Sequence, residues 1–244
     1  MTGSDEQPSF TLAYVPGVTP GKWVRKWAER MPDVPLDLVQ VSAADAADLV
    51  RGGEADMVLL RFPTDRTGLH AIPLYTETTV VVVPKDHVIS AVDEVTGEDL
   101  ADELVLHPLD DTLGWERPPG QPAIERPATT GDAIELVAAG VGLLVVPQSL
   151  ARLHHRKDLV YRPLTDAPQS RVALSWLEEE TTDLMEQFIG IVRGRTVNST
   201  RGRPQAPPEE KRKRPAETKK PTGRPKPRGA GNSRGGRRGK PRRR

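Results

Sequence analysis

Apolar and polar positions alternate along the first 197 residues in runs that predict short strands and amphipathic helices. Ser9–Val15 is rich in β-favouring residues and predicts a first strand. Pro16-Gly17-Val18 turns the chain, and Thr19-Pro20 predicts a cap followed by proline at the first helical position. That helix runs to about Met31, with Trp23, Val24 and Trp27 on one face, and ends ahead of Pro32 and Pro35. Leu36–Val41 predicts a second strand. Ser42 opens a second helix that closes at Arg51-Gly52-Gly53, and Asp56–Leu60 predicts a third strand. Strand and helix in this alternation predict a parallel sheet with helical crossovers. After a loop around Gly68, Thr78–Val83 reads as a long buried strand stopped by Pro84.

A second series follows. Thr96–Leu100 starts a short helix, Leu104–Leu106 is a strand, and Asp110–Pro127 is a polar, proline-rich loop. Thr129–Pro147 then holds a helix, a glycine turn and a strand within one stretch. Thr129 or Thr130 caps the helix, Asp132 places a negative charge in its first turn, and Ile134, Val137, Ala138 and Val141 form an apolar face. Gly140 and Gly142 suit the left-handed residue that ends a helix, and Leu143–Val146 is an all-apolar strand closed by Pro147. A short helix from Gln148 to about His155, strands at Leu159–Tyr161 and Val172–Trp176, and an amphipathic helix from Thr181 to about Val197 complete the pattern. The expected fold class is α/β with two Rossmann-like lobes, roughly 9–82 with 165–197 and 84–160. Two crossings between lobes make a hinge, with a cleft between them.

Charge changes this picture beyond residue 198. Residues 201–244 carry 18 of the 35 Lys+Arg but 3 of the 34 Asp+Glu, leaving 17 basic against 31 acidic residues before them. The near-neutral total is thus an acidic body joined to a basic tail. With only three alanines as hydrophobic residues, the tail has too little apolar surface to offset chain entropy, so residues 198–244 are expected to be disordered. Such a tail binds polyanions by counterion release. The expected contacts are Arg201, Arg203, Lys211, Arg212, Lys213, Arg214, Arg224, Lys226, Arg228, Arg237 and Arg238. Arg201-Gly202-Arg203-Pro204 matches the AT-hook core and Gly223-Arg224-Pro225-Lys226 lacks only its leading Arg, so both minor-groove reading and plain phosphate binding stay open. A solubilising tail that folds back on the acidic body is the bland alternative.

The absence of Cys excludes disulfides and Cys-ligated metal. MTGSDEQPSF lacks the basic start and apolar core of a signal peptide, and no apolar run approaches the roughly 20 residues that span a bilayer. A soluble, cytoplasmic protein is expected, nucleoid-associated if its tail binds DNA, with no membrane partner.

Four stretches, in this order, resemble the effector-binding domain of LysR-type transcriptional regulators, a periplasmic-binding-protein-like fold. They are the strand, turn and Thr-Pro helix start at 12–21, LVRGGEADMVLL at 49–60, PLYTETTVVVVPKDH at 73–87 and ELVAAGVGLLVVP at 135–147. The last carries the family's Leu-Val-x-x-Gly-x-Gly-x-x-x-x-Pro run. The resemblance covers about residues 9–195. His87-Val88 stands where the family favours His-Pro, and about nine residues precede the first strand where the family carries a winged helix-turn-helix. The resemblance therefore implies a sensor without its usual DNA reader, acting as a homodimer or as a heterodimer with a LysR-type regulator. Trp23 and Trp27 lie on a helix that serves either such a dimer or the core.

In the fold so implied, the first helix of each lobe points its N-terminus at the cleft, where free N–H groups attract small organic anions. Gly17, Val18 and Thr19 on one wall and Thr129 and Thr130 on the other are the expected contacts, with capping alone as the plain alternative. Arg61 and Phe62 follow the third strand, at the end of a sheet where ligands bind. Arg61 is expected either to pair with a carboxylate or to be a solvated charge. Trp115 either covers the cleft or packs. The five histidines lack metal-ligand spacing, and no nucleophile elbow, phosphate loop or dinucleotide fingerprint occurs. No catalytic residue, metal or cofactor is expected, and enzyme activity is not. Two functions remain: a stand-alone ligand sensor in transcriptional regulation whose tail holds nucleic acid, or a nucleoid-type protein working through its tail with a vestigial body.

Overall fold

Why each segment takes its form is clearest from how many faces it must bury. The computed structural model describes residues 8–195, all within the first of the chain's two units, Met1–Arg203. The chain enters as β1 (Phe10–Tyr14), α1 (Gly21–Arg30), β2 (Leu36–Gln40), α2 (Ala46–Arg51), β3 (Met57–Phe62) and β4 (Leu69–Glu77). It continues through β5 (Thr79–Pro84), β6 (Leu104–Leu106), β7 (Gln121–Pro122), α3 (Thr130–Ala138), β8 (Leu143–Pro147), α4 (Gln148–Leu153) and β9 (Leu159–Pro163). It ends with β10 (Ser170–Leu177) and α5 (Asp183–Val192). Two five-stranded sheets result, in the orders β2-β1-β3-β10-β4 and β7-β6-β8-β5-β9. Each is mixed. The expected parallel set β2-β1-β3 is present, but β10 joins it antiparallel to both β3 and β4.

β5 corrects the expected lobe boundary. Residues 79–82 belong to the second sheet, where β5 runs antiparallel between β8 and β9. Its valines explain the placement. Val80 and Val82 pack with Ala133, Ile134 and Val137 of α3, while Val81 and Val83 pack with Ile89, Val95 and Leu100 on the other face. A strand covered on both sides reads as an unbroken apolar run. The first crossing is therefore at Thr78, ahead of β5, and the return lies between β9 and β10. Thr79 Oγ1 donates to Pro168 O at 2.5 Å, tying the two crossings together.

β4 is a strand where a loop was expected. It pairs on one side only, with β10, and mixes exposed with covered positions. Pro73 lacks an N–H to donate and is tolerated at such an edge. In the first lobe, Phe10, Trp27 and Phe188 form the centre of the core, with ring centroids 4.7 Å apart for Phe10–Trp27 and 5.3 Å for Phe10–Phe188. Trp27 Nε1 donates to Val34 O at 2.9 Å, satisfying the one polar atom of the ring. Trp23 is buried as well, so both tryptophans serve the core.

Several helix limits differ from expectation. Pro20 is itself the N-cap of α1 in a helical conformation with no side-chain cap, so Thr19 does not cap. Ser42 organises a turn by accepting from Asp45 N–H at 3.1 Å, and α2 starts only at Ala46. Thr182 caps α5 by accepting from Met185 N–H at 3.3 Å, and residues beyond 195 lie outside the described range. α3 ends at Ala138, and Gly140, with φ +73°, turns the chain away so that Val141 faces solvent, 46% exposed, instead of extending the apolar face.

Candidate functional site

Between the lobes lies a cleft of about 740 Å³. Its first-lobe wall comes from the carboxyl ends of β1, β2 and β3 and the residues after them, including Pro16, Gln40, Ser42, Arg61 and Thr64. Ligands of open α/β sheets bind in the crevice beyond the carboxyl ends of the strands. The second-lobe wall comes from the segment after β6, the start of α3, and α4.

Thr129 fixes the start of α3 through a reciprocal capping box. Asp132 N–H donates to Thr129 Oγ1 at 3.0 Å, and Thr129 N–H donates to Asp132 Oδ2 at 3.1 Å. The box leaves the first-turn N–H groups of Thr130 and Gly131 at the cleft wall, on the positive end of the helix dipole. Thr130 is buried, and its hydroxyl donates to Asp110 Oδ1 at 2.9 Å. The His154 ring lies against Gly131, with Cε1 3.4 Å from where a Cβ would sit.

Arg61 is neither a solvated charge nor an open receptor. Its side chain and that of Glu77 are 2% and 7% exposed, and Arg61 Nε donates to Glu77 Oε2 at 2.9 Å. Nη1 donates to Pro16 O at 2.5 Å and Nη2 to Ser149 Oγ at 2.8 Å. One guanidinium thus ties β3 to the β1–α1 turn, to the last residue of β4 before the crossing, and to α4 of the second lobe. A bare charge buried this deeply costs several kcal/mol, and Glu77 offsets it. Burial, and after it the charge of Glu77, raises the Tyr75 phenol above its ordinary pKa, with Arg61 opposing.

Of the expected contacts, Arg61, Thr129 and Thr130 line the cleft together. Gly17 stands where the β1–α1 turn meets the second lobe: with φ +82°, a Cβ there would lie 2.8 Å from Ser149 Oγ and 2.9 Å from Arg61 Nη2. Val18 is 3% exposed in the first-lobe core, while Thr19 is exposed outside the lining. Phe62 is also outside it, under the Arg66 guanidinium at 5.3 Å. Trp115 packs against the second-lobe core and does not line the cleft. Sequence reasoning missed Asp110, Thr112 and His154. Asp110 follows a strand end, a detectable position; His154 is placed by packing of α4 on α3 and has no local signal. The tail contacts, Arg201 to Arg238, lie outside the described residues. Among the described residues no group of three His, Cys, Asp or Glu is placed to hold a metal ion, and no helix is long and apolar enough to cross a membrane.

The family model described as LysR substrate binding domain matches residues 5–196. The HTH-type transcriptional regulator AlsR of Bacillus subtilis (strain 168) is 25% identical over 194 residues, covering 75% of this chain and 62% of AlsR. The Hca operon transcriptional activator HcaR of Escherichia coli (strain K12) is 25% identical over 210 residues, covering 80% and 70%. This chain therefore spans less than two thirds of the length of AlsR. Among solved structures, the oxidized form of OxyR aligns with a TM-score of 0.64 at 20% identity, over 77% of this chain and 95% of that one. The BenM effector binding domain with its effector benzoate aligns with a TM-score of 0.63 at 17% identity, over 77% and 91%. At these identities the structures speak for the fold alone: two lobes with a hinge and cleft.

Proposed function

The chain belongs to the LysR substrate-binding domain family, and from that premise we propose that it senses a small organic ligand in the cleft and passes lobe closure on to transcription. The observation that carries this reading is the cleft itself, which brings the start of α3 and the ends of β1–β3 around one space. An acidic group on the ligand takes the Thr130 and Gly131 N–H groups, and Thr129 holds the helix start in place for it. Closure acts as a switch because the ligand binds the closed arrangement more tightly than the open one. The protein works without catalysis, in the cytoplasm, and transmits closure as a homodimer or through a LysR-type regulator that it joins.

The tail adds a second contact. Eighteen basic residues in 201–244 hold DNA or RNA through phosphate charge. A nucleoid-type role resting on the tail alone is the rival reading, favoured by that same charge excess. Deleting 201–244 separates them. Anisotropy with a DNA duplex should show affinity lost with the tail and, for the full chain, falling steeply as salt rises. Ligand-induced melting shifts should survive the deletion. DNA affinity that persists without the tail contradicts the tail's role; a cleft that answers no ligand while the tail binds favours the rival.

A further inference from the structure

The charges around the cleft have the wrong sign for a bare anion. We infer that the effector is a zwitterion of amino-acid type, with an ammonium group beside its acidic group; this rests on reading the cleft as the ligand site. Arg61 is the one strong cation of the lining, and its guanidinium is already engaged by Glu77, Pro16 O and Ser149. The other charged groups of the lining are Asp110 and Asp111, with His154 as a further titratable group.

Asp111 is occupied by its own loop, accepting from Leu113 N–H at 3.2 Å and Gly114 N–H at 3.1 Å, with His107 Nε2 at 3.5 Å. Asp110 is different. It is exposed, and Thr130 Oγ1 donates to its Oδ1, leaving Oδ2 for another donor. The start of α3 therefore offers two N–H groups with a carboxylate on either side: Asp132 in the capping box and Asp110 across the cleft wall. A carboxylate bound there without a neighbouring cation meets repulsion from both. An ammonium one carbon away from that carboxylate answers Asp110.

A second observation comes from the same wall. Thr112 lines the cleft, and its hydroxyl is buried with no hydrogen-bond partner among the described residues. Buried hydroxyls are rarely left so, and a turn about χ1 would let this one donate to the acidic group or accept from the ammonium. Leu109, Leu150, Leu153, Ala43 and Ala44 supply apolar lining for the remainder of the molecule.

Matched compounds test this on the full 244-residue chain by thermal shift. Each common L-amino acid is compared with its des-amino acid and its decarboxylated amine; L-leucine, 4-methylpentanoate and 3-methylbutylamine form one such set. At least one amino acid should raise the melting temperature, with both partners at least about tenfold weaker, the scale of one charge-assisted hydrogen bond. Asp110→Asn should erase the preference over the des-amino acid. Thr112→Val, which leaves every charge in place, should weaken the same amino acid and so checks the site should Asp110→Asn fold poorly. Des-amino acids that bind as well as amino acids overturn the zwitterion and leave the sensor standing. A preference that survives Asp110→Asn overturns the role of Asp110. A flat response to every compound overturns both this inference and the cleft as a small-molecule site.

Discussion

Arg61 and Glu77 put two opposite charges where water scarcely reaches, and the protein keeps them because each satisfies the other. Removing one partner of such a pair costs far more than the pair contributes, since the survivor stays buried and unpaired. Glu77→Gln should therefore cost about 3–5 kcal/mol, which in a domain of this size lowers the melting temperature by roughly 10 °C. Replacing both, with Arg61→Met and Glu77→Leu, should recover most of it. A melting temperature unchanged in Glu77→Gln would show that Arg61 has its countercharge elsewhere. The strand-end position of Arg61 was legible in the sequence, but its burial was not. Ser149, which caps its third hydrogen-bonding direction, lies 88 residues away, and no local pattern encodes that meeting.

At the scale of elements, legibility follows how local each cause is. The start of α3 was readable to within a residue and its end was not, because Thr129 and Asp132 act on their own helix while the apolar spacing runs on past Ala138 to Val141. β5 was readable as a strand but not as a member of the second sheet, since its valines show two covered faces without naming the cover. β4 went unread because an edge strand needs only one partner, and Pro73 with scattered polar residues resembles a loop. The cap gives the most direct check. Thr129→Ala removes the acceptor for Asp132 N–H and should cost about 1 kcal/mol, a fall of roughly 2–4 °C in melting temperature. Because the same cap positions the Thr130 and Gly131 N–H groups, ligand-induced shifts should shrink with it. A variant that melts as the parent does would remove the cap from the helix's support.

Across the whole molecule, the resemblance read from four stretches holds over the range that the family model matches. The cleft was foreseen as a place, and three of its residues by name. Its charge balance was not, since Arg61 is engaged by Glu77 and by Ser149 of the second lobe only once both lobes are assembled. One topological feature has a temporal meaning. β10 lies between β3 and β4, so the first sheet is open at its middle until residues 170–177 exist. β4 ends at Glu77, about 100 residues earlier. At about 5–20 residues per second of synthesis, β3 and β4 wait roughly 5–20 s for the strand that joins them. The second sheet draws all its strands from residues 79–163. The lobe that comes second in the chain is thus expected to mature first. On ribosome-bound chains halted at increasing length, pulse-labelled hydrogen exchange should protect β5, β8 and β9 before β3 and β4, and the reverse order would contradict it. A nascent chain halted before residue 170 would present two bare apolar strand edges to its surroundings, so the burden on chaperones falls on the half that begins the sequence.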